Sequence, residues 1–97
     1  MNTPAGPETA ARLRRALLAF QKAQGLLLST HRRLKDLPAA EVERFWATQG
    51  DRLEKHARAA ATEVTAAFAA SSAAGLVAGA VDRHLVTEAR RSLSGGR

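Results

Sequence analysis

The three histidines are the side chains of this sequence best suited to metal binding or proton transfer. His31, His56 and His84 are widely separated along the chain, and none belongs to a two-ligand motif of the HExxH kind. His84 and Glu88 are four residues apart and would share one face of a helix, where a surface hydrogen bond is a simpler expectation than a metal site. We therefore predict that the chain holds no metal ion.

Nucleophilic and acid–base chemistry has equally little support. The 97 residues include no cysteine, which excludes a thiol nucleophile, a thiolate metal site and a disulfide. Glu41 and Glu43 would point about 200° apart on a helix, so they cannot act together as acid and base. No glycine-rich phosphate loop follows a strand. We expect a protein that is not an enzyme and that uses no cofactor and no small-molecule substrate.

Composition favours a single all-α domain. The chain has 22 alanines and 12 leucines but only 4% aromatic residues, which is typical of helices and not of sheets. Twelve arginines against three lysines, with so much alanine, indicate a bacterial source. Residues 1–6 show no basic start followed by an apolar run, so we expect a cytoplasmic protein.

Helix start and stop signals divide the chain into three helices. Gly6-Pro7 and Leu37-Pro38 each place a proline at a helix start, and Ser71-Ser72 offers an N-cap. Asp51 opens a capping box that could start a new helix after Gly50, but the apolar phase continues across this point, so we expect one helix there. The predicted helices span 8–36, 38–70 and 72–93, with flexible tails at 1–6 and 94–97.

Short links make the first two helices a long antiparallel hairpin, and the third, C-terminal helix completes a helical bundle. Along the first helix, Leu13, Phe20, Leu27 and Leu34 fall on a seam with the 3–4 spacing of a coiled coil. Alanines fill much of this seam and bury little area, so we expect a protein partner or a homo-oligomer to supply further burial.

Two further features could contact a partner. Phe45 and Trp46 are adjacent aromatics in a chain that has few, and Gly75 and Gly79 form a GxxxG motif suited to close helix packing. The predicted protein-interface residues are Leu13, Phe20, Leu27, Leu34, Phe45, Trp46, Gly75 and Gly79.

The first helix also has a basic outer face. Residues 8–36 carry seven cations against two anions. The candidate nucleic-acid contacts are Arg14, Arg15, Lys22, Arg32 and Arg33. They could neutralise phosphates without reading bases, because no stacking aromatic or base-reading motif accompanies them.

The segment 64–81 contains no charged residue and is near the lower length limit for a membrane span. The sequence therefore leaves three functions open. We expect a non-catalytic assembly, adaptor or structural subunit that acts through helix packing. The alternatives are a sequence-independent nucleic-acid-binding protein and a membrane-associated hairpin anchored by 64–81.

Overall fold

A computed structural model describes residues 5–94 of the protein. Its elements are α1 (Ala5–Leu34), α2 (Ala39–Phe45), a π-helical turn (Trp46–Gly50), α3 (Asp51–Ala73) and α4 (Ala80–Ser94). No strand occurs within these residues. The all-α prediction is confirmed.

The first helix occupies nearly the predicted range. It begins at Ala5 and ends at Leu34, and Leu37-Pro38 separates it from the next helix because Pro38 adopts an extended backbone with ψ 147°. Of the predicted flexible tails, 1–6 and 94–97, residues 1–4 and 95–97 lie outside the described residues. Ala5, Gly6 and Ser94 are helical, which corrects the prediction at those positions.

The second predicted helix continues through Gly50, as the apolar phase indicated. Phe45, Gly50 and Asp51 all have right-handed helical backbone angles, so the chain keeps its direction from α2 into α3. The predicted range 38–70 includes the residues of the π turn without indicating its π-helical form, and it stops three residues before the end of α3. No side chain caps the start of α3, so the alternative capping box at Asp51 does not form.

The start of the third predicted helix is wrong. Ser71 and Ser72 lie inside α3, and a turn over 74–79 precedes α4 at Ala80. Gly75 has φ +81°, a left-handed conformation that ends a helix and that glycine adopts without strain. The serines therefore belong to the last turns of α3 and do not cap a new helix.

Helices α1 and α3 run antiparallel along most of their length. Arg12 contacts Glu63 near one end, and the rings of His31 and Trp46 stack near the other end with centroids 4.9 Å apart. Helix α4 packs mainly on α3 and only slightly on α1. The core lies where the three helices meet, around Leu13, Ala16, Leu17, Phe20, Ala61, Val64, Ala67, Val86 and Ala89. The molecule measures 60 × 25 × 21 Å.

Candidate helix-docking groove

An apolar groove runs between α1 and α4 because α4 leans on α3. The first part of the groove has a volume of about 320 Å³ and lies between Leu13–Leu18 on α1 and Val77–Leu85 on the other side. A second part continues along the same side, between Phe20–Leu28 on α1 and His84–Glu88 on α4. Gln21 and Leu85 line both parts, so the two form one continuous surface. We call this surface the α1/α4 groove.

Three large apolar side chains in this groove are open to solvent. Leu18 is 53% exposed, Val77 is 93% exposed and Val81 is 71% exposed. They are half of the six large hydrophobic residues that are exposed among the described residues, and Leu28, at 57%, lines the same groove further along. Single exposed apolar residues are ordinary on a protein surface, but here several lie together along one groove, which makes the groove a candidate contact surface.

The turn between α3 and α4 places Val77 and Val81 at the mouth of the groove. The backbone N–H groups of Gly75 and Leu76 donate to the carbonyls of Ser72 and Ser71, each at 3.0 Å, which is the hydrogen-bond pattern of a Schellman motif. Leu76 then turns toward the start of α1, where its Cδ2 lies 3.8 Å from the point that a Cβ on Gly6 would occupy. The next residue, Val77, lies at the open edge of the groove, where its side chain is almost fully exposed.

The two walls of the groove carry opposite charge. Arg14 lines it from α1, whereas Asp82 and Glu88 line it from α4. Arg14 and Asp82 form no ion pair with any described residue. Glu88 accepts a hydrogen bond from Arg91 Nη1 at 2.9 Å on its own helix. The groove therefore has an apolar floor, one cation, Arg14, on its α1 wall and two carboxylates, Asp82 and Glu88, on its α4 wall.

The predicted interface residues occupy three different environments. Leu13, Phe20 and Leu34 are buried within the chain itself, and Leu27 is half-buried. The seam of α1 is therefore covered by the chain's own helices at these three positions, and it is not a free surface there.

Phe45 and Trp46 lie at the far end of the hairpin. Both are half-buried, and their rings meet edge to face with centroids 5.3 Å apart. Phe45 also lines a shallow surface pocket together with Leu34 and Leu37. Neither residue of this aromatic pair lines the α1/α4 groove.

Gly75 and Gly79 do not form the expected small-residue helix face. Both lie in the turn before α4, and the helical spacing that defines a GxxxG contact is absent there. Ala67 and Ser71, which extend the motif backwards, are buried in α3. The prediction of a GxxxG helix contact at these glycines is wrong.

The five candidate nucleic-acid contacts all lie on the surface of α1. Arg14, Arg15, Lys22, Arg32 and Arg33 are exposed, and none of them forms an ion pair with a described residue. Only Arg14 lines the α1/α4 groove; the others lie on the outer face beside it or beyond the end of α4.

Arg12 is the cation of α1 that is engaged within the fold. Its Nε and Nη2 donate to the two carboxylate oxygens of Glu63 at 2.7 and 3.1 Å. This hydrogen bond lowers the pKa of Glu63, a partial loss of hydration opposes the shift, and the positive charges of Arg12 and Arg15 add to it. The pair joins α1 to α3, although both side chains remain partly exposed.

Sequence reasoning did not select Leu18, Val77 or Val81. The available signal was a second stripe on α1 with the same 3–4 spacing as the seam, formed by Leu18, Gln21, Gly25 and Leu28. On α1 the expected seam had the larger apolar content and concealed this weaker stripe. Val77 and Val81 fall within the predicted helix 72–93, but α4 begins only at Ala80, so Val77 lies in the turn before it.

Three other observations concern the alternatives. Within residues 5–94, no three histidine or acidic side chains come close enough to hold a metal ion. Among the described helices, none is long and apolar enough to cross a membrane, and 64–81 is divided between α3, the turn and α4. The expected anchor over 64–81 therefore does not form one helix, which corrects that prediction.

The described residues form a small all-helical fold with an open apolar groove between α1 and α4. Comparisons with protein-family models, with curated proteins and with solved structures find no match.

Proposed function

We propose that this protein is a non-catalytic assembly or adaptor subunit that acts through helix packing, with the α1/α4 groove as its docking surface. The observation that carries the proposal is the clustering of Leu18, Val77 and Val81 on one groove, each more than half exposed. A groove between two helices accepts a further amphipathic helix, whose apolar face replaces water along its floor. The antiparallel hairpin with its third helix is the scaffold that presents this groove.

The size of the core supports the same proposal. The largest side chains that are fully buried among the described residues are Phe20, Val64 and Thr30, and much of the remaining core is alanine. A small domain with such a core buries little apolar area per residue. Covering the groove would add the area of several leucine and valine side chains.

Photocrosslinking in the producing cell tests this function without assuming what the partner is. A benzophenone amino acid in place of Val81 should give protein adducts of defined mass, because Val81 lies at the mouth of the groove. The same substitution at Leu26, an exposed leucine that lines no groove, is the matched control and should give none. Adding Leu18→Asp should abolish the Val81 adduct while circular dichroism shows the helix content retained. Equal adducts at both positions, or none at Val81, would contradict the proposal.

A second candidate function, sequence-independent nucleic-acid binding, is favoured by the five exposed cations of α1. Glu8 is the only acidic residue in α1, so this face has a net positive charge along its whole length. Such a surface would bind phosphates with an affinity that falls steeply as salt rises. Electrophoretic retardation of duplex DNA or RNA that disappears on changing Arg32 and Arg33 to Glu would support it. An absence of retardation at low salt would remove it.

A further inference from the structure

We propose that the α1/α4 groove is covered by the same groove of a second copy of this chain, related to the first by a two-fold axis parallel to the groove. The inference rests on the proposed function and names its partner. It is argued from the direction of the helices and from the charges that the two walls carry.

Helices α1 and α4 run in the same direction along the groove. Residues 13–18 of α1 share the first part of the groove with residues 81–85 of α4, and residues 20–28 share the second part with residues 84–88. A two-fold rotation about an axis parallel to the helices does not change the position of a residue along that axis. It therefore places α1 of one copy opposite α4 of the other, level by level.

The charges of the walls match under this rotation. Arg14 and Asp82 lie in the same part of the groove, on opposite walls, and neither is paired within the described chain. The rotation brings Arg14 of one copy opposite the partner's Asp82, and the reverse pair forms at the same time. Leu18 and Val81 of both copies then lie between the two ion pairs, away from water. An isologous interface requires this kind of self-complementarity.

The alternative two-fold arrangement is unfavourable. An axis perpendicular to the helices would pack α1 antiparallel on α1 of the partner. It would also pack α4 on α4 of the partner, so the wall that carries Asp82 and Glu88 would face the same wall of the second copy, and Arg14 would face α1, which has no acidic side chain in the groove. Like charges placed opposite each other repel, whereas the parallel axis pairs opposite charges.

Charge reversal tests the proposal through molar mass. The unmodified chain should show twice the 10.3 kDa chain mass in sedimentation equilibrium at high concentration. Arg14→Glu or Asp82→Arg alone should weaken self-association on the order of tenfold or more, since each places like charges together twice. The double variant Arg14→Glu with Asp82→Arg should restore it, because the pairs form again with reversed polarity. Lys22→Glu, exposed and outside the groove, is the control and should leave the mass unchanged.

Circular dichroism of each variant shows whether the helices are retained, so that loss of folding is not mistaken for dissociation. A monomer at every concentration, or folded single variants that the double variant does not rescue, would overturn the second-copy proposal. A monomer that still crosslinks through Val81 to a heavier protein would overturn it while leaving the adaptor function intact. A protein that neither self-associates nor crosslinks through Val81 would contradict both the second-copy proposal and the adaptor function.

Discussion

At the scale of single residues, Trp46 determines that position 50 is a glycine. A Cβ at Gly50 would lie 2.6 Å from Cε3 of the Trp46 ring, closer than carbon atoms approach. The two residues are the ends of the π-helical turn, and Gly50 is buried under the ring. π-helix occurs mostly as single turns inside α-helices, and Trp46, at the start of this turn, contacts His31 on α1.

The change Gly50→Ala should destabilise the protein by about 1 kcal/mol. Overpacking costs about 1–3 kcal/mol, and the better helix propensity of alanine offsets about 1 kcal/mol of it. Gly25→Ala is the matched control, because Gly25 is an exposed helical glycine with no atom within 4 Å of its added Cβ, and it should stabilise by about 1 kcal/mol. Urea unfolding of dilute protein measures both. Trp46, the single tryptophan, should change its fluorescence only in Gly50→Ala. An unchanged or raised stability of Gly50→Ala would contradict the packing described.

The Arg12–Glu63 pair links pH to stability. Because the fold lowers the pKa of Glu63, its contribution is present above the ordinary value of 4.5 and is lost as the pH falls through the lowered value. Both side chains are more than a third exposed, so solvent and salt screen the pair and its contribution is small.

Replacing Glu63 with Gln should therefore lower the urea midpoint at pH 7 and leave it unchanged at a pH below the lowered pKa. Added salt should reduce the difference at pH 7. Glu43→Gln, which removes an exposed carboxylate without an ion pair among the described residues, serves as the comparison and should show no such loss at pH 7. The same deficit for Glu63→Gln at both pH values would show that the charge is not the cause.

The burial of Leu13, Phe20 and Leu34 on α1 was predictable from the sequence, and side-chain contacts between helices were not. The 3–4 spacing places Leu13, Phe20 and Leu34 on one face, and all three are buried. The spacing does not say whether the covering surface comes from the same chain or another, and here it is the same chain. The bond from Arg12 to Glu63 joins residues 51 apart, and no local pattern indicates it.

At the scale of the elements, the turn over 74–79 decides where the groove opens. Gly75 ends α3 with its positive φ, and the two Schellman hydrogen bonds fix the direction in which the chain leaves the helix. The sequence contains this signal, since glycine is the usual residue at this position. The uncharged run 64–81 and the GxxxG spacing concealed it, because both favour a helix that continues through Gly75.

The change Gly75→Ala should destabilise the protein by about 1 kcal/mol, since alanine resists the left-handed conformation. Gly79→Ala is the control within the same turn. Gly79 has no positive φ and no atom within 4 Å of an added Cβ, so its replacement should have little effect. Thermal unfolding followed by circular dichroism compares the two variants. Equal effects would show that the turn does not depend on the backbone conformation of Gly75.

At the scale of the whole molecule, the core is concentrated at one end. Phe20, Val64 and Val86 meet where three helices pack, whereas α2 contains no buried residue and the hairpin tip is two helices thick. The length of 60 Å follows from the long hairpin, and the groove follows from the shortness of α4 and its preference for α3. A sequence pattern specifies which faces are apolar, but the angle at which α4 leans is set by packing of the assembled helices.

The central claim is that the α1/α4 groove is a docking surface that a partner covers in the cell. The protection of Val81 from labelling in the cell tests this claim most directly. The chain has no cysteine, so Val81→Cys and Leu26→Cys each carry a single thiol. In the purified and diluted protein both thiols should react rapidly with a maleimide, since both positions are exposed in the isolated chain. In the producing cell, Val81→Cys should react much more slowly while Leu26→Cys keeps its rate. Equally rapid labelling of both thiols in the cell would contradict the account.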